Sequence, residues 1–209
     1  MSSTGKILVP IIIALALGVI VLGAAFIGRA WFTLPFPVLG LGAPPVQPIE
    51  FPHSSHVNIG GVDCVFCHRN VTKGAPATVP AVETCLFCHK DIDGGTVNAQ
   101  EEINKVRTAF DTDTPIDWAR VHRLPDHVRF IHEAHIRYFT DETIGVKYGI
   151  NGEELSESPD VAQTCTICHG DVANKEVVQP KTGQSLKMGT CVDCHRVNSI
   201  PTDCTVCHK

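Results

Sequence analysis

The chain has 209 residues and a formal net charge of −5, and it contains only nine Phe, two Trp and two Tyr. A net acidic protein lacks the positive field that attracts nucleic acid, so no nucleic-acid partner is expected. The length suits one domain and a short additional segment, but so few aromatic side chains are lean for an ordinary soluble core.

The first predicted element is a membrane anchor over residues 1–30. Residues 7–27 are apolar without a single charge, with Lys6 before them and Arg29 after them. A helix of about 20 apolar residues crosses a bilayer, and Pro10 is tolerated in such a helix. The alternative is a cleaved signal peptide, whose apolar region is usually about 7–15 residues long. The longer run favours an uncleaved, single-pass anchor.

A linker is predicted over residues 31–50. It contains five prolines among glycines and aliphatic residues, namely Pro35, Pro37, Pro44, Pro45 and Pro48. Such a composition resists helix formation and favours an extended, semi-rigid chain. Because the segment is too apolar for a fully solvated linker, we expect it to lie against membrane lipid or a partner subunit.

The main chemical motif is Cys-x-x-Cys-His, the attachment motif of c-type haem. Two sulfurs at this spacing bond to the vinyl groups of one haem, and the histidine becomes the proximal iron ligand. The motif occurs five times: at Cys64, Cys67 and His68; Cys85, Cys88 and His89; Cys165, Cys168 and His169; Cys191, Cys194 and His195; and Cys204, Cys207 and His208. Disulfides or zinc sites are the alternatives, but neither explains a histidine after every second cysteine. We predict five covalently attached haem c groups, at sites 1 to 5 in chain order.

The haems indicate both a location and a fold class. Haem is normally attached on the outer side of the cytoplasmic membrane, so the N-terminus should lie inside and the haem domain on the periplasmic side. We expect a haem-packed multihaem cytochrome c of mostly short α-helices and loops with little strand, plus one N-terminal transmembrane helix. Short helices should carry several of the motifs. The porphyrins should form the core, and without them no stable fold is expected.

An internal repeat organises the haem domain, residues 51–209. Phe51-x-His53-x-x-His56 is echoed by a second segment of the same pattern, which begins at Phe130 and contains His132 and His135. Each precedes further haem motifs, which gives two pseudo-repeats, about 51–97 and 130–209, joined by residues 98–129. Within the joining segment a helix is predicted from Asn98 to Phe110, because apolar residues recur there at helical spacing.

The second repeat has a longer spacing before its first motif. His132 and Cys165 are 33 positions apart, whereas His53 and Cys64 are 11 apart. The excess, residues 138–160, is rich in Gly, Glu and Ser, which are typical of turns and surfaces. We predict an inserted surface loop.

The number of histidines favours haem irons whose two axial positions are both filled. Beyond the five motif histidines, six remain: His53, His56, His122, His127, His132 and His135. Five are needed if every iron takes two histidines. Met188 is too close to Cys191 for the distal face of its own haem, although ligation of a neighbouring haem stays open. A six-coordinate haem has no position for a substrate, so it transfers electrons, and histidine in place of methionine lowers its potential.

Two longer segments resemble a known family. They are Pro-Ile-Asp-Trp-Ala-Arg-Val-His-Arg-Leu-Pro-Asp-His, from Pro115 to His127, and Met-Gly-Thr-Cys-Val-Asp-Cys-His-Arg, from Met188 to Arg196. The paired Phe-x-His-x-x-His segments resemble class III multihaem cytochromes c. With five haem motifs and one anchor, the chain resembles the ActA family, the pentahaem cytochrome c subunits of alternative complex III.

The resemblance implies an electron carrier rather than an enzyme, within a complex that oxidises quinol in a respiratory or photosynthetic chain. Electrons would pass from an iron–sulfur, molybdopterin-like subunit through five bis-histidine haems to a periplasmic or membrane acceptor. The other implied partners are polytopic quinol-binding subunits, a further cytochrome c and membrane lipid.

The resemblance to class III cytochromes also implies which histidine serves which site. The first histidine of each pair ligates the haem of the next motif, so His53 serves site 1 and His132 serves site 3. The second histidine reaches a later haem, which gives His56 to site 2 and His135 to site 4. Site 5 takes either His122 or His127.

Two other functions are compatible with a multihaem chain. A self-standing quinol dehydrogenase that feeds periplasmic reductases would need a quinol site at the anchor, but residues 7–27 offer no polar side chain for the head group. A multihaem redox enzyme needs a haem with an open coordination position, which six spare histidines for five haems disfavour. No catalytic residue is therefore predicted.

Overall fold

The computed structural model describes residues 3–32, 46–122, 124–178 and 186–209. The chain divides into two units, Met1–Ala43 and Pro44–Lys209. Most of the predicted linker, residues 33–45, lies outside the described residues.

The described part of the first unit is a single long helix, α1 (Ser3–Phe32). Its 30 residues span about 45 Å, because each helical residue rises about 1.5 Å. The stretch Leu8–Gly28 is long and apolar enough to cross a membrane, and none of it is buried against protein. A signal sequence has the same properties, so the helix fits a single anchor without fixing its orientation.

The described part of the second unit consists of short helices joined by loops. They are α2 (Cys64–Cys67), α3 (Val82–His89), α4 (Val97–Asp111), α5 (His132–Thr140), α6 (Val161–His169), α7 (Met188–Val197) and α8 (Cys204–Cys207). One π-helical turn (Ser55–Ile59) precedes α2, and one 3-10 turn (Val172–Asn174) follows α6. The strands β1 (Lys147–Tyr148) and β2 (Glu154–Leu155) form an antiparallel pair. The predicted fold of mostly short helices with little strand is confirmed, and five of the helices carry the Cys-x-x-Cys-His motifs.

Helix α4 matches the amphipathic helix predicted between the repeats. Its N-terminus is capped by Thr96, whose hydroxyl accepts a hydrogen bond from the backbone N–H of Ala99 at 3.2 Å. Val106 is buried on its inner face. Arg107 Nε donates to the carbonyl of His89 at 2.8 Å. This bond ties α4 to the C-terminal end of α3, which carries the second motif.

The protein itself supplies a small apolar core. Among the described residues, the buried apolar side chains are Ile49, Val71, Val106, Ile136, Phe139, Ile150 and Ile167. Phe139, Ile150 and Ile167 form a cluster that is flanked by Cys168 and Cys194 of two motifs. This group of buried apolar residues thus packs against motif cysteines rather than forming a separate core.

Residues 138–160 were predicted to form an inserted surface loop. This prediction was wrong for the residues of the segment that are buried in the protein interior. Helix α5 continues to Thr140, and β1 and β2 form a hairpin. Phe139 and Ile150 of this segment are 4% and 7% exposed and belong to the cluster with Ile167 of α6. The segment is rich in turn residues, but a few apolar side chains between them pack inward.

Lys147 is buried inside this segment, with 2% of its surface exposed. Its Nζ donates to the carbonyls of Phe139 (3.1 Å) and Asp141 (2.5 Å) and to Oγ of Ser158 (2.6 Å). The two carbonyls lie at the C-terminal end of α5, where helix carbonyls lack intrahelical partners and a positive charge is stabilising. Lys147 therefore caps α5 and joins it to the segment that follows.

We expect Lys147→Met to destabilise the haem-loaded protein, because two enclosed carbonyls lose their donor. The loss should be about 2–4 kcal/mol, since a hydrogen bond to a charged group contributes about 1.5–3 kcal/mol. Urea or thermal unfolding measures it. Lys105→Met is the matched control, because Lys105 is half exposed and pairs with Glu102, so it should cost under about 1 kcal/mol. Equal losses in the two variants contradict the capping role.

Candidate haem-binding sites

The motif helices α2 and α6 begin at defined caps. Oδ1 of Asp63 accepts from the backbone N–H of Val65 at 2.9 Å, which starts α2 at Cys64. Asp160 starts α6 with a reciprocal capping box that it shares with Gln163. Residues three apart lie on one face of a helix, so each of these caps presents two sulfurs to the same side.

Eight of the ten cysteines are partly enclosed, whereas Cys88 and Cys204 are exposed. Burial raises the pKa of the Cys165 thiol to about 11, with the neighbouring Cys64 as a further cause. The pKa of Cys64, Cys85 and Cys191 is also raised, again chiefly by burial. Among the described residues, no group of three or more His, Cys, Asp or Glu side chains is placed to hold a metal ion such as zinc.

The spare histidines lie close to motif histidines. The ring centres are 6.0 Å apart for His56 and His89, 6.5 Å for His132 and His169, 6.2 Å for His135 and His195, and 5.4 Å for His127 and His208. His53 lies near His68, which contributes, after burial, to the lowered pKa of His53. Each motif histidine thus has a second imidazole nearby.

These separations test whether a haem iron fits between the rings. A bond from a metal to an imidazole nitrogen is about 2 Å long and the ring centre lies about 1.2 Å further, so two rings on one iron have centres roughly 6.3 Å apart. The pairs at sites 2, 3 and 4 match this value, while the 5.4 Å pair at site 5 is shorter. At sites 2, 3 and 4 the residues present therefore fit a haem iron held between two histidines.

Hydrogen bonds orient most of these rings. In six histidines Nδ1 is within hydrogen-bonding distance of a backbone carbonyl: His56 to Pro52 (2.9 Å), His68 to Thr78 (2.6 Å), His89 to Ile92 (3.1 Å), His132 to Ala75 (2.6 Å), His135 to Ile131 (2.8 Å) and His195 to Pro201 (3.0 Å). When Nδ1 donates its proton to the carbonyl, Nε2 keeps a lone pair for a metal. Histidine ligands are commonly held in this way.

Burial keeps several of the spare histidines neutral. The pKa of His53 is lowered to about 4, first by burial and then by the nearby His68 and His56. Burial also lowers the pKa of His135 and of His122. Within the described part of the chain, Nδ1 of His53 and Nε2 of His122 are buried without a hydrogen-bond partner. A neutral imidazole is the form that binds a metal.

The two repeats have nearly the same aromatic geometry. The Phe51 ring lies 5.0 Å from His53 at 84° and stacks on His56 at 4.1 Å and 22°. The Phe130 ring lies 4.8 Å from His132 at 89° and stacks on His135 at 4.3 Å and 27°. Each phenylalanine therefore fixes the relative orientation of a histidine pair.

His127 is held against the last motif by the backbone. Val128 forms an isolated antiparallel bridge with His208. The backbone N–H of Lys209 donates to the carbonyl of His127 at 3.2 Å, and that of Arg129 donates to the carbonyl of Cys207 at 2.6 Å. These contacts bring His127 to site 5.

His122 has a different neighbour. Its ring centre is 4.8 Å from that of His169, with the planes at 75°. This separation is too short for an iron between the two rings, whereas His132 faces the same His169 at 6.5 Å. The geometry favours His127 over His122 for site 5. Met188 is the first residue of α7 and is 66% exposed.

The sequence did not reveal which groups hold the imidazoles in place. The oxygen atoms nearest to Nδ1 belong to main-chain carbonyls, such as those of Thr78 and Ala75. Every residue has a carbonyl, so no residue type marks these partners. The phenylalanines that stack on the histidines did carry a signal, because the repeat places Phe51 and Phe130 at the same distance from their histidine pairs.

The short-helical fold, the five motifs and the paired imidazoles fit what a multihaem c-type cytochrome requires, and one long apolar helix lies near the N-terminus. No family model matches the sequence. The chain is similar to the multihaem cytochrome c subunit of menaquinone reductase from Nitratidesulfovibrio vulgaris, with 29% identity over a 177-residue alignment that covers 78% of this chain and 77% of that subunit. The similarity supports the multihaem cytochrome c class and quinone-linked electron transfer, but not alternative complex III in particular.

Proposed function

We propose that this chain is the electron-transfer subunit of a membrane quinol:acceptor oxidoreductase of the alternative complex III type. It would hold five covalent haem c groups between histidine pairs. The observation that carries the proposal is the pairing of motif histidines with second imidazoles at separations that suit one iron. Haem with both axial positions filled supplies one-electron transfer and leaves no position for a substrate.

The side chains of the proposed sites have distinct tasks. The ten cysteines fix the porphyrins to short helices, and the motif histidines supply the proximal ligands. We assign the distal ligands of sites 1 to 5, in that order, to His53, His56, His132, His135 and His127. The carbonyls that accept from Nδ1 hold the imidazoles in one tautomer and one orientation, and Phe51 and Phe130 restrict rotation within each pair.

The proposed location follows from haem attachment and from α1. The helix would anchor the subunit in the cytoplasmic membrane, with the N-terminus inside and the haem domain on the periplasmic side. The remaining partners would be an iron–sulfur, molybdopterin-like subunit, polytopic quinol-binding subunits and a further cytochrome c. Electrons would come from the iron–sulfur subunit and leave to a periplasmic or membrane acceptor.

A second candidate direction comes from the relative, whose name is menaquinone reductase. In such a complex electrons would pass from a donor through the cytochrome toward quinone. The proposed sites suit either direction, because a bis-histidine haem both accepts and donates an electron. The potentials of the external donor and acceptor set the direction.

The test uses the chain with the subunits that co-purify in mild detergent, reconstituted in lipid nanodiscs. We expect menaquinol to reduce the haems of the assembly, as seen in the visible spectrum, and not those of the separated chain. The separated chain should fail because residues 8–28 offer no polar side chain for a quinol head group. Equally fast reduction of the separated chain contradicts the subunit role and supports a self-standing quinol dehydrogenase.

The direction is read from the same preparation. The rate at which menaquinone oxidises pre-reduced haems is compared with the rate at which menaquinol reduces oxidised haems, at matched concentrations. A faster oxidation by menaquinone assigns a quinone-reducing role. Failure of both reactions in the assembly contradicts a quinone-linked function.

A further inference from the structure

Sites 1 and 2 are neighbours in space. The rings of Phe66 in the first motif and Phe87 in the second are 6.2 Å apart and edge-on. Cys67 lies near Cys85 and Cys88 of the second motif: after burial, Cys88 contributes to the raised pKa of Cys67, and Cys67 to that of Cys85. Porphyrins bonded to these sulfurs would therefore lie side by side.

Site 1 also adjoins site 3, which is far away in sequence. The Cys64 and Cys165 side chains lie close enough for each to affect the pKa of the other. The backbone N–H of His53, the distal ligand proposed for site 1, donates to the carbonyl of Lys175 at 2.9 Å. Asn58 Nδ2 donates to Oδ1 of Asn174 at 2.7 Å. The segment that supplies site 1 with its second histidine thus packs on the turn that follows the third motif.

Two further hydrogen bonds join sites 1 and 3, from the segment that bears the second histidine of site 3 to the loop after the first motif. The backbone N–H of His132, the distal ligand proposed for site 3, donates to the carbonyl of Ala75 at 3.1 Å, and the neighbouring Glu133 donates to the carbonyl of Gly74 at 3.2 Å. Gly74 and Ala75 lie in the loop that follows the first motif. Sites 1 and 3 therefore exchange contacts through both of their histidine-bearing segments.

Sites 3 and 4 share one helix and one apolar cluster. Helix α5 carries His132 and His135, which are proposed to serve sites 3 and 4 and which stand one turn apart. Cys168 of site 3 and Cys194 of site 4 pack on the same cluster around Phe139. The two sites are joined by the segment that the sequence alone marked as a surface loop.

Site 4 adjoins site 5. Cys191 lies near Cys207, which contributes, after burial, to the raised pKa of Cys191. Only eight residues separate His195 from Cys204, and this short connection folds back, because Nδ1 of His195 lies 3.0 Å from the carbonyl oxygen of Pro201. The last two motifs are therefore held together by their own connecting loop.

From these four junctions we infer that the haem sites form one row in the order 2–1–3–4–5, with sites 2 and 5 at its ends. The inference rests on the proposed electron-transfer function and adds to it a path that differs from the order along the chain. With haem bound, each step would move one electron from a reduced site to its oxidised neighbour, and the external donor and acceptor would supply and remove it. Electrons would then enter and leave at sites 2 and 5, the two ends of the row.

The proposed order differs from the order along the chain because it places sites 1 and 3 side by side. Redox titration tests whether these two sites are neighbours. Methionine in place of a distal histidine raises the potential of that haem, which distinguishes it from the others. We compare the double variant His53→Met/His132→Met, at sites 1 and 3, with His56→Met/His132→Met, at sites 2 and 3. Each is compared with its single variants, because neighbouring sites shift each other's potential.

The interaction between sites 1 and 3 should be at least about twice that between sites 2 and 3, since the electrostatic energy falls with distance. An equal or larger interaction between sites 2 and 3 overturns the order. Haem staining and mass spectrometry first confirm five haems in every variant. The titration uses a chemical reductant, so its result is independent of whether quinol is the donor, and a failure of the proposed function remains distinguishable.

A cross-linking experiment tests the same junction without altering any ligand. A benzophenone amino acid at Asn58 of the haem-loaded, full-length chain should cross-link on illumination to the peptide that contains residues 171–176. The same group at Phe87 should cross-link to the first motif, near Phe66. Cross-linking from Asn58 to the second motif in place of 171–176 overturns the order.

Discussion

A chain that lacks haem at site 1 is expected to lose its cooperative fold. The variant is Cys64→Ala/Cys67→Ala, which removes both thioether bonds at an inner position of the proposed row. Full burial of an apolar side chain contributes about 1.5–3 kcal/mol, whereas ordering one residue costs about 1–2 kcal/mol. The described residues bury only seven apolar side chains, so we expect the protein to depend on porphyrin to fill its interior. Helix α2 has four residues and is too short to form alone.

The measurement is thermal unfolding followed by circular dichroism, with the haem count determined by mass spectrometry. The matched control is Cys204→Ala/Cys207→Ala, which removes the attachment at the proposed end of the row. This control should keep four haems and a cooperative transition at a lower Tm. A haem-free chain with a cooperative transition contradicts the dependence of the fold on haem. Equal losses in the two variants contradict the inner position of site 1.

Replacing His127 by alanine is expected to create a haem that binds carbon monoxide. In the wild-type reduced protein every iron is proposed to carry two histidines, so carbon monoxide should bind hardly at all. The variant opens one of five irons, and roughly one molecule should bind per chain, since a five-coordinate haem accepts such a ligand. The change in the visible spectrum of the reduced protein measures the amount bound.

His122→Ala is the control for this prediction, because His122 lies 4.8 Å from His169, at a separation that leaves no room for iron between the rings. This variant should bind no more carbon monoxide than the wild type. Binding in the His122 variant with none in the His127 variant reverses the assignment of site 5. Extensive binding by the wild type contradicts the closed sites and favours a multihaem enzyme.

Several features of the fold could be predicted because they depend on short stretches of sequence. The apolar run that became α1 and the spaced apolar residues of α4 are local patterns, and both helices are present. The same holds for the motif helices, since a Cys-x-x-Cys-His segment needs only one turn to present its sulfurs. The low strand content was expected for the same reason, as no segment showed sustained alternation.

The buried side of residues 138–160 could not be predicted in the same way. Lys147 belongs to a residue type that is almost never fully buried, and the apolar side chains of the segment show no regular spacing. Its burial depends on three acceptors that come together only when α5 ends beside Ser158. Such a site is created by the fold and cannot be recognised beforehand from composition.

The sequence by itself determined the number of Cys-x-x-Cys-His motifs, the excess of one histidine over five ligand pairs, and the presence of one long apolar segment. These are covalent and compositional facts that folding does not change. The tertiary structure alone decided that His127 lies at the last motif while His122 lies beside His169, and that Cys64 meets Cys165. The physical reason is that these contacts join residues far apart in the chain, so each depends on how all the intervening turns and helices pack.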